Sequence, residues 1–305
     1  MPYGGTGRTL VVLALAAAGA GAPAQELDPR AYSNTPIGMN FLLAGVVHTD
    51  GNVAFDPALP LTDARLRTTT GVLALAHTLE VGGQSGKLAV VLPYTHLRGH
   101  ALLDGAPVQR DVTSFGDPLL RFSANLYGAP ALSLKEFASY RQDVIVGASV
   151  AVSVPVGQYD SSRVINIGAN RWAIRPELGF SKAVGAWTLE LAPGVTFFAD
   201  NDDFFGGKKR EQDPLYSVQG HLIYSLRSGA WLSLNGTWYS GGRTTVNGVL
   251  NNDLQTNSRL GATAVLPVNR YNSMRFGWST GTSTRTGSDF DAYAVTWQYR
   301  WGGGI

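Results

Sequence analysis

The sequence predicts an all-β chain: a single transmembrane antiparallel β-barrel of about twelve strands, preceded by a cleavable signal peptide. Three observations carry this. Alternation of apolar and polar residues at period two runs through the chain, and helical spacing is scarce after residue 25. Most alternating stretches reach the 9–11 residues that a tilted strand needs to cross a bilayer. Short turns and long polar stretches take turns between them, as in outer-membrane barrels.

The composition sets the frame. The chain has 305 residues, 44% hydrophobic and 15% charged, and the charged share is well below the usual figure of about 25%. No apolar run reaches the roughly 18 residues of a membrane helix. With no cysteine, neither a disulfide scaffold nor a thiolate metal site is possible. Residues 1–24 read as a secretory signal: Arg8 gives the positive start, "LVVLALAAAGAGA" (Leu10–Ala22) the apolar stretch, and "APA" the small residues before cleavage. The rival reading of that stretch is a short buried helix. Without Arg8 the chain carries 23 basic against 22 acidic residues. That balance argues against a nucleic-acid partner, which needs a concentrated basic face. Residues 25–305 are therefore expected to form one exported barrel domain.

The expected strands, in order, are 38–48, 65–80, 87–98, 115–127, 142–155, 171–183, 186–199, 214–227, 230–239, 257–267, 271–280 and 289–301. The last contains "DFDAYAVTWQYRW". Tyr293, Val295, Trp297, Tyr299 and Trp301 share one face, and Ala294, Thr296, Gln298 and Arg300 share the other. In 187–197, Trp187, Leu189, Leu191, Val195 and Phe197 alternate with Thr188, Glu190 and Thr196. Aromatics near strand ends, such as Trp172, Trp187, Tyr216 and Trp238, suit the interfacial girdles of a membrane barrel. A soluble sandwich would reverse the faces.

The joins "GGQS", "VG", "SG" and "VNR" read as tight turns. Residues 49–64, 99–114, 156–170, 200–213, 240–256 and 281–288 read as long loops. "GAPALSLKEFASYR" (128–141) breaks the rule, and its Leu132, Leu134 and Phe137 suggest a small helix or flap on the periplasmic side. An even strand number puts both ends of the mature chain there. Pro93, Pro176 and Pro193 fit poorly, since each removes a ladder donor inside a strand.

Several stretches carry a family likeness: "FGDPLLRFSANLYGAPAL" (115–132), the run from "VPVGQYD" to "FFADNDDF" (154–204), "REQDPLYSVQGHLIYSL" (210–226) and the closing "FDAYAVTWQYRW". Across the mature chain the sequence resembles the family of outer-membrane proteins named for the meta pathway of phenol degradation. The resemblance implies a β-barrel in the outer membrane of a Gram-negative-type bacterium and passage of small organic, including aromatic, compounds. It supplies no catalytic residues. The tail departs from many outer-membrane barrels: "GGGI" follows Trp301 where others end on an aromatic.

The chemistry expected of such a barrel lies in its lumen. Arg121, Arg175, Glu177, Glu190, His221, Arg259, Arg275 and Arg300 fall on the faces opposite the apolar ones and are candidate pore-lining residues. They form either a polar passage that selects solutes by charge or a salt-bridge plug that conducts nothing. Arg175, Glu177 and Glu190 are expected on one patch of wall.

No enzyme is expected. A barrel hydrolase would need a Ser–His pair, and no signature ties His48, His77, His96, His100 or His221 to a serine. His221 shares its face with Ser217 and Ser225, which reads as plain polar lining. No metal site and no cofactor is expected: Asp200, Asp202 and Asp203 are weak calcium candidates in a loop without EF-hand spacing, and a solvated loop is the plainer reading. Expected partners are outer-membrane lipid and lipopolysaccharide, the outer-membrane assembly machinery and a small-molecule solute. The alternatives to a channel are a structural or adhesive barrel with a sealed lumen and, less favoured, a barrel enzyme.

Overall fold

The computed structural model describes residues 28–52, 61–287 and 289–304. The expected signal segment and the middle of the 49–64 loop lie outside the described residues. The wall starts with three long strands, β1 (Met39–Asn52), β2 (Leu61–Val81) and β3 (Gln84–Leu103). β4 (Ala106–Phe115) and β5 (Leu119–Tyr127) both pair with β3 and act as one interrupted wall strand. A short helix, α1 (Leu134–Phe137), follows. β6 (Val144–Ser153), β7 (Ala173–Val184) and β8 (Trp187–Phe198) continue the wall. β9 (Asn201–Phe204) and β10 (Lys208–Gln212) leave it as a hairpin. β11 (Leu215–Ser225) and β12 (Trp231–Gly241) return to it, and β13 (Thr244–Val246) and β14 (Val249–Leu250) form a second outside hairpin. β15 (Gln255–Pro267), β16 (Asn272–Thr284) and β17 (Asp289–Gly302) complete the circuit.

β1 pairs antiparallel with β17 from Met39↔Gly302 to Asn52↔Asp289, so the wall closes with twelve strand positions. Among the described residues this closure leaves the wall without an open edge, which a bilayer would not tolerate. The start of β1 and the end of β17 meet beside the short turns: Gly38 lies against Gly303. The turn at Gly82 and Gly83 needs two positive φ angles, +57° and +79°, which glycine adopts without strain.

The burial pattern inverts that of a soluble protein. On β12, Leu232, Leu234 and Trp238 are exposed while Ser233, Asn235 and Thr237 are buried. Leu178 is 59% exposed and Leu234 66%, whereas Gln219 is 2% exposed. Trp297 faces out and Gln298 in, as the alternation requires. An outer surface this apolar belongs against lipid, so this is a transmembrane barrel.

The three prolines have local reasons. β3 pairs with β5 as far as Val91↔Leu119 and with β4 from Tyr94↔Phe115. Pro93 therefore opposes the break at residues 116–118, and it still accepts a bond from the Gly116 N–H at 3.0 Å. The β7–β8 ladder is interrupted between Ile174↔Phe197 and Glu177↔Gly194, and again before Phe180↔Leu191. Pro176 and Pro193 lie in these two gaps, where a ladder donor is not required.

Three expected loops are strand instead. Residues 99–114 form the β3–β4 hairpin, turning at Asp104 and Gly105. The 200–213 and 240–256 stretches fold as β9–β10 and β13–β14, which join through β10–β13 into a four-stranded sheet above the wall. The 128–141 flap contains α1, capped by Ser133, whose hydroxyl accepts from the Glu136 N–H while Glu136 bonds back.

Candidate functional site

The first described residues, 28–38, run inside the barrel. Asp28, Arg30, Tyr32, Ser33, Asn34 and Thr35 are all buried. This plug was not legible as structure in the sequence, and the wall charges turn out to hold it. Arg121 of β5 donates to Asp28 Oδ2 at 2.6 Å and to Glu177 Oε1 at 3.0 Å. The Tyr32 hydroxyl donates to Glu177 Oε1 at 2.9 Å and lies 3.0 Å from Ser149 Oγ. Gln219 donates to Glu177 Oε2 at 3.2 Å, and Arg175 Nη2 lies 3.9 Å from the same oxygen. Glu177 is thus the point where the plug and three wall strands meet.

A second anchor is Glu190 of β8. Its Oε2 accepts the Arg30 backbone N–H at 2.7 Å and its Oε1 accepts the Ser181 hydroxyl at 3.2 Å. The Arg30 guanidinium lies 5.0 Å over the Trp231 ring and donates to Ser225. Lys87 of β3 donates to the Ala31 carbonyl at 2.8 Å, and Asn34 to the Pro130 carbonyl at 3.1 Å.

Two glycines make the slot for Tyr32. Gly147 and Gly179 face each other across β6 and β7. A Cβ on Gly147 would fall 2.5 Å from the Tyr32 ring, and one on Gly179 2.1 Å from it. No side chain larger than hydrogen fits at either position while the ring is seated.

The inner wall has two characters. On β5–β8, β11 and β12 it is polar, carrying Ser149, Arg175, Glu177, Glu190, Gln219, His221 and Asn235. On β1–β3 and the start of β5 it carries an apolar patch, Phe41, Leu43, Val47, Val72, Ala74, Ala76, Val91 and Leu119, flanked by the buried Thr68, Thr70, Thr95 and Lys87. A cavity of about 40 Å3 remains between that patch and the plug, bounded by Leu43, Ala74, Ala89, Leu119, Asp28 and Arg121.

At the end away from the plug, the loop 156–170 turns into the mouth. Its Ile165 and Ile167 pack on Leu66 and Leu97, with Val112 and Phe290 beside them. Asp117, in the β4–β5 break, accepts the Gly157 and Ala169 N–H groups at 2.8 Å each and ties down both ends of this loop. Arg259 stacks on Phe290 at 3.8 Å and donates to the Ser279 hydroxyl at 3.0 Å.

Seven of the eight expected lining residues, Arg121, Arg175, Glu177, Glu190, His221, Arg259 and Arg275, occupy inward positions on the wall. Arg300 is at the mouth beside the short turns, donating to the Arg270 carbonyl at 2.8 Å. Arg175 and Glu177 share one patch, but Glu190 pairs in register with Ser181 and serves the other anchor. His221 Nδ1 lies 2.9 Å from Asn235 Oδ1, while Ser217 bonds the Gly194 carbonyl and Ser225 serves Arg30. Asp200 is salt-bridged to Lys209 at 2.7 Å, and Asp202 and Asp203 are exposed on β9. Among the described residues no group of three His, Asp or Glu side chains is placed to hold a metal ion.

The fold recurs in known barrels. An outer membrane channel from Pseudomonas putida F1 superposes with a TM-score of 0.77 at 22% identity, covering 90% of this chain and 100% of that one. The β domain of a Bordetella autotransporter gives 0.51 at 10% identity, over 87% of this chain and 100% of that chain. The translocator domain of the autotransporter NalP from Neisseria meningitidis gives 0.51 at 12%, over 88% and 91%. No curated protein matches the chain. The family model described as "Putative MetA-pathway of phenol degradation" matches residues 46–299, and the chain, with its twelve-position wall, belongs to that family.

Proposed function

We propose that the chain is an outer-membrane channel for small, weakly polar organic solutes, single-ring compounds among them, and that it catalyses no reaction. The observation that carries this is the asymmetry of the lumen. A purely structural barrel needs its inward carboxylates paired, and the plug contributes to that at Glu177 and Glu190. Such a barrel has no need of an apolar patch beside that plug. That patch, with a cavity already open along it, suits a solute that is only partly polar. A second apolar cluster, Leu66 and Leu97 with Ile165 and Ile167, lies towards the far mouth beyond a band of buried threonines, Thr49, Thr68, Thr70 and Thr95. Solute would enter there and leave by displacing the plug. The outer-membrane assembly machinery and lipopolysaccharide are the partners this placement implies. The channel from Pseudomonas putida F1 with the same fold supports the reading.

Current through single barrels in a planar bilayer tests it. The wild type should pass a small ion current that millimolar phenol reduces. Ala74→Asp should leave the current in place and remove the effect of phenol. Absence of any current, both in the wild type and without the plug, would sink the channel reading. The protein would then be a sealed barrel that presents its outside hairpins, the reading that the filled lumen itself favours.

A further inference from the structure

At the plugged end a cleft of about 310 Å3 lies between the plug, the flap after α1 and the turns at 185–186 and 226–229. That volume is at the lower end of ordinary small-molecule sites, about 300–1,000 Å3. Three arginines line it: Arg30 from the plug, Arg141 from the flap and Arg227 from the turn after β11. No Asp or Glu is among the described residues that line it. The acids nearby are engaged elsewhere, Asp143 with Lys182, Glu136 with Ser133 and Glu190 with the Arg30 N–H. The charge of the cleft is therefore one-sided, in a chain whose overall net charge is only +2.

The cleft also has an aromatic wall. Phe137 and Tyr140 stack with ring centroids 5.5 Å apart and an interplanar angle of 27°. The Tyr140 hydroxyl donates to the Gly128 carbonyl at 2.7 Å, which fixes the ring. Burial pushes the Tyr140 phenol up from its ordinary value, so at neutral pH it stays uncharged and does not repel an anion. Arg141 donates through Nη1 to the Tyr140 and Ala138 carbonyls at 2.9 and 3.4 Å, which fixes its guanidinium at the end of the flap. Ser33, Asn34 and Gln142 add neutral hydrogen-bonding groups.

Guanidinium groups pair with carboxylates through two parallel hydrogen bonds, and flat rings pack on aromatic faces. From these two features together, we propose that this cleft is a binding site for a small aromatic carboxylate at the periplasmic mouth. Arg141 and Arg227 meet the carboxylate, Phe137 and Tyr140 meet the ring, and the Arg30 charge backs the site. An anion here would touch the plug through Ser33 and Asn34 and the flap through Arg141. The site does not depend on the lumen conducting, so it can be tested apart from transport.

The test is calorimetric titration of the purified full chain in detergent micelles with benzoate, benzyl alcohol and acetate. Benzoate supplies ring and charge together, and the other two supply one each. Benzoate should bind at least about tenfold more tightly than either, and more weakly as salt rises. Arg141→Gln with Arg227→Gln should weaken benzoate about tenfold or more while leaving benzyl alcohol unchanged. Both side chains are exposed, and retention of the heat-modifiable folded band confirms that the variant is intact. Phe137→Leu should narrow the preference for benzoate over acetate. Benzoate binding no tighter than benzyl alcohol, or equally tight in the double arginine variant, would overturn the site. A barrel that binds benzoate in this way yet passes no current would overturn the channel and leave the site standing.

Discussion

Inward positions on β1, β2 and β3 carry Phe41, Leu43, Val72, Ala74 and Val91, while those on β7, β8 and β11 carry Arg175, Glu177, Glu190, Gln219 and His221. Both halves obey the same alternation, and both turn an apolar face outward to lipid. They differ in what answers them inside. The polar half is answered by the plug, whose Asp28, Arg30 and Tyr32 meet the wall charges one by one. The apolar half faces residual space. Side-chain alternation therefore decides only what is inside. The contents of the lumen decide which inward residues hold structure and which are left for a solute.

That contrast can be broken at Glu177 with the largest expected effect. Glu177→Leu leaves Arg121 and Arg175 buried without their shared carboxylate, and breaking a buried pair costs about 3–5 kcal/mol. The midpoint of urea unfolding, followed by the heat-modifiable band, should fall accordingly. An unchanged midpoint would mean that the plug is not seated on this carboxylate.

A smaller effect is expected at the glycine slot. Gly179→Val introduces a side chain where Cβ alone would lie 2.1 Å from the Tyr32 ring. Overpacking costs about 1–3 kcal/mol, and here the plug, rather than the barrel, should yield. Limited proteolysis of residues 28–38 should become faster, and combining Gly179→Val with Tyr32→Gly should remove the strain. On the apolar half, Leu43→Ala should cost about 2 kcal/mol, the lower end for a core leucine, because part of its surroundings is already empty. It should leave the plug's protease resistance intact. The mildest change is Ser149→Ala, which removes one neutral partner of Tyr32 and should cost about 1 kcal/mol.

The strands were legible because a lipid-facing wall repeats one rule along its whole length. The expected 186–199 is observed as Trp187–Phe198, and 289–301 as Asp289–Gly302. The hairpin of β3 and β4 was less legible. Its residues 99–114 are polar on the outward side above the bilayer, with Arg98 paired to Asp111 there, so they read as loop. The plug was not legible at all. Residues 28–38 have no period, and the wall residues that anchor Asp28, Arg30 and Tyr32 through Arg121, Glu190 and Glu177 are at least 90 positions away in the chain. Two traces of it were present in the sequence. Gly147 and Gly179 occupy inward positions where a strand gains nothing from glycine, and the expected patch sets two inward carboxylates, Glu177 and Glu190, against the single cation Arg175. The same blindness explains the expected grouping of Arg175, Glu177 and Glu190: strand register places Glu190 opposite Ser181, and the plug divides the carboxylates between its two anchors.

The account rests on the segment 28–38 sealing the polar side of an otherwise passable lumen. Single-channel conductance in a planar bilayer, compared between the wild type and a chain lacking residues 28–36, measures this directly. Removing the segment should raise conductance by about tenfold or more, because the wall charges then face water instead of the plug. Equal conductance in the two barrels, with both retaining the folded band, would contradict it.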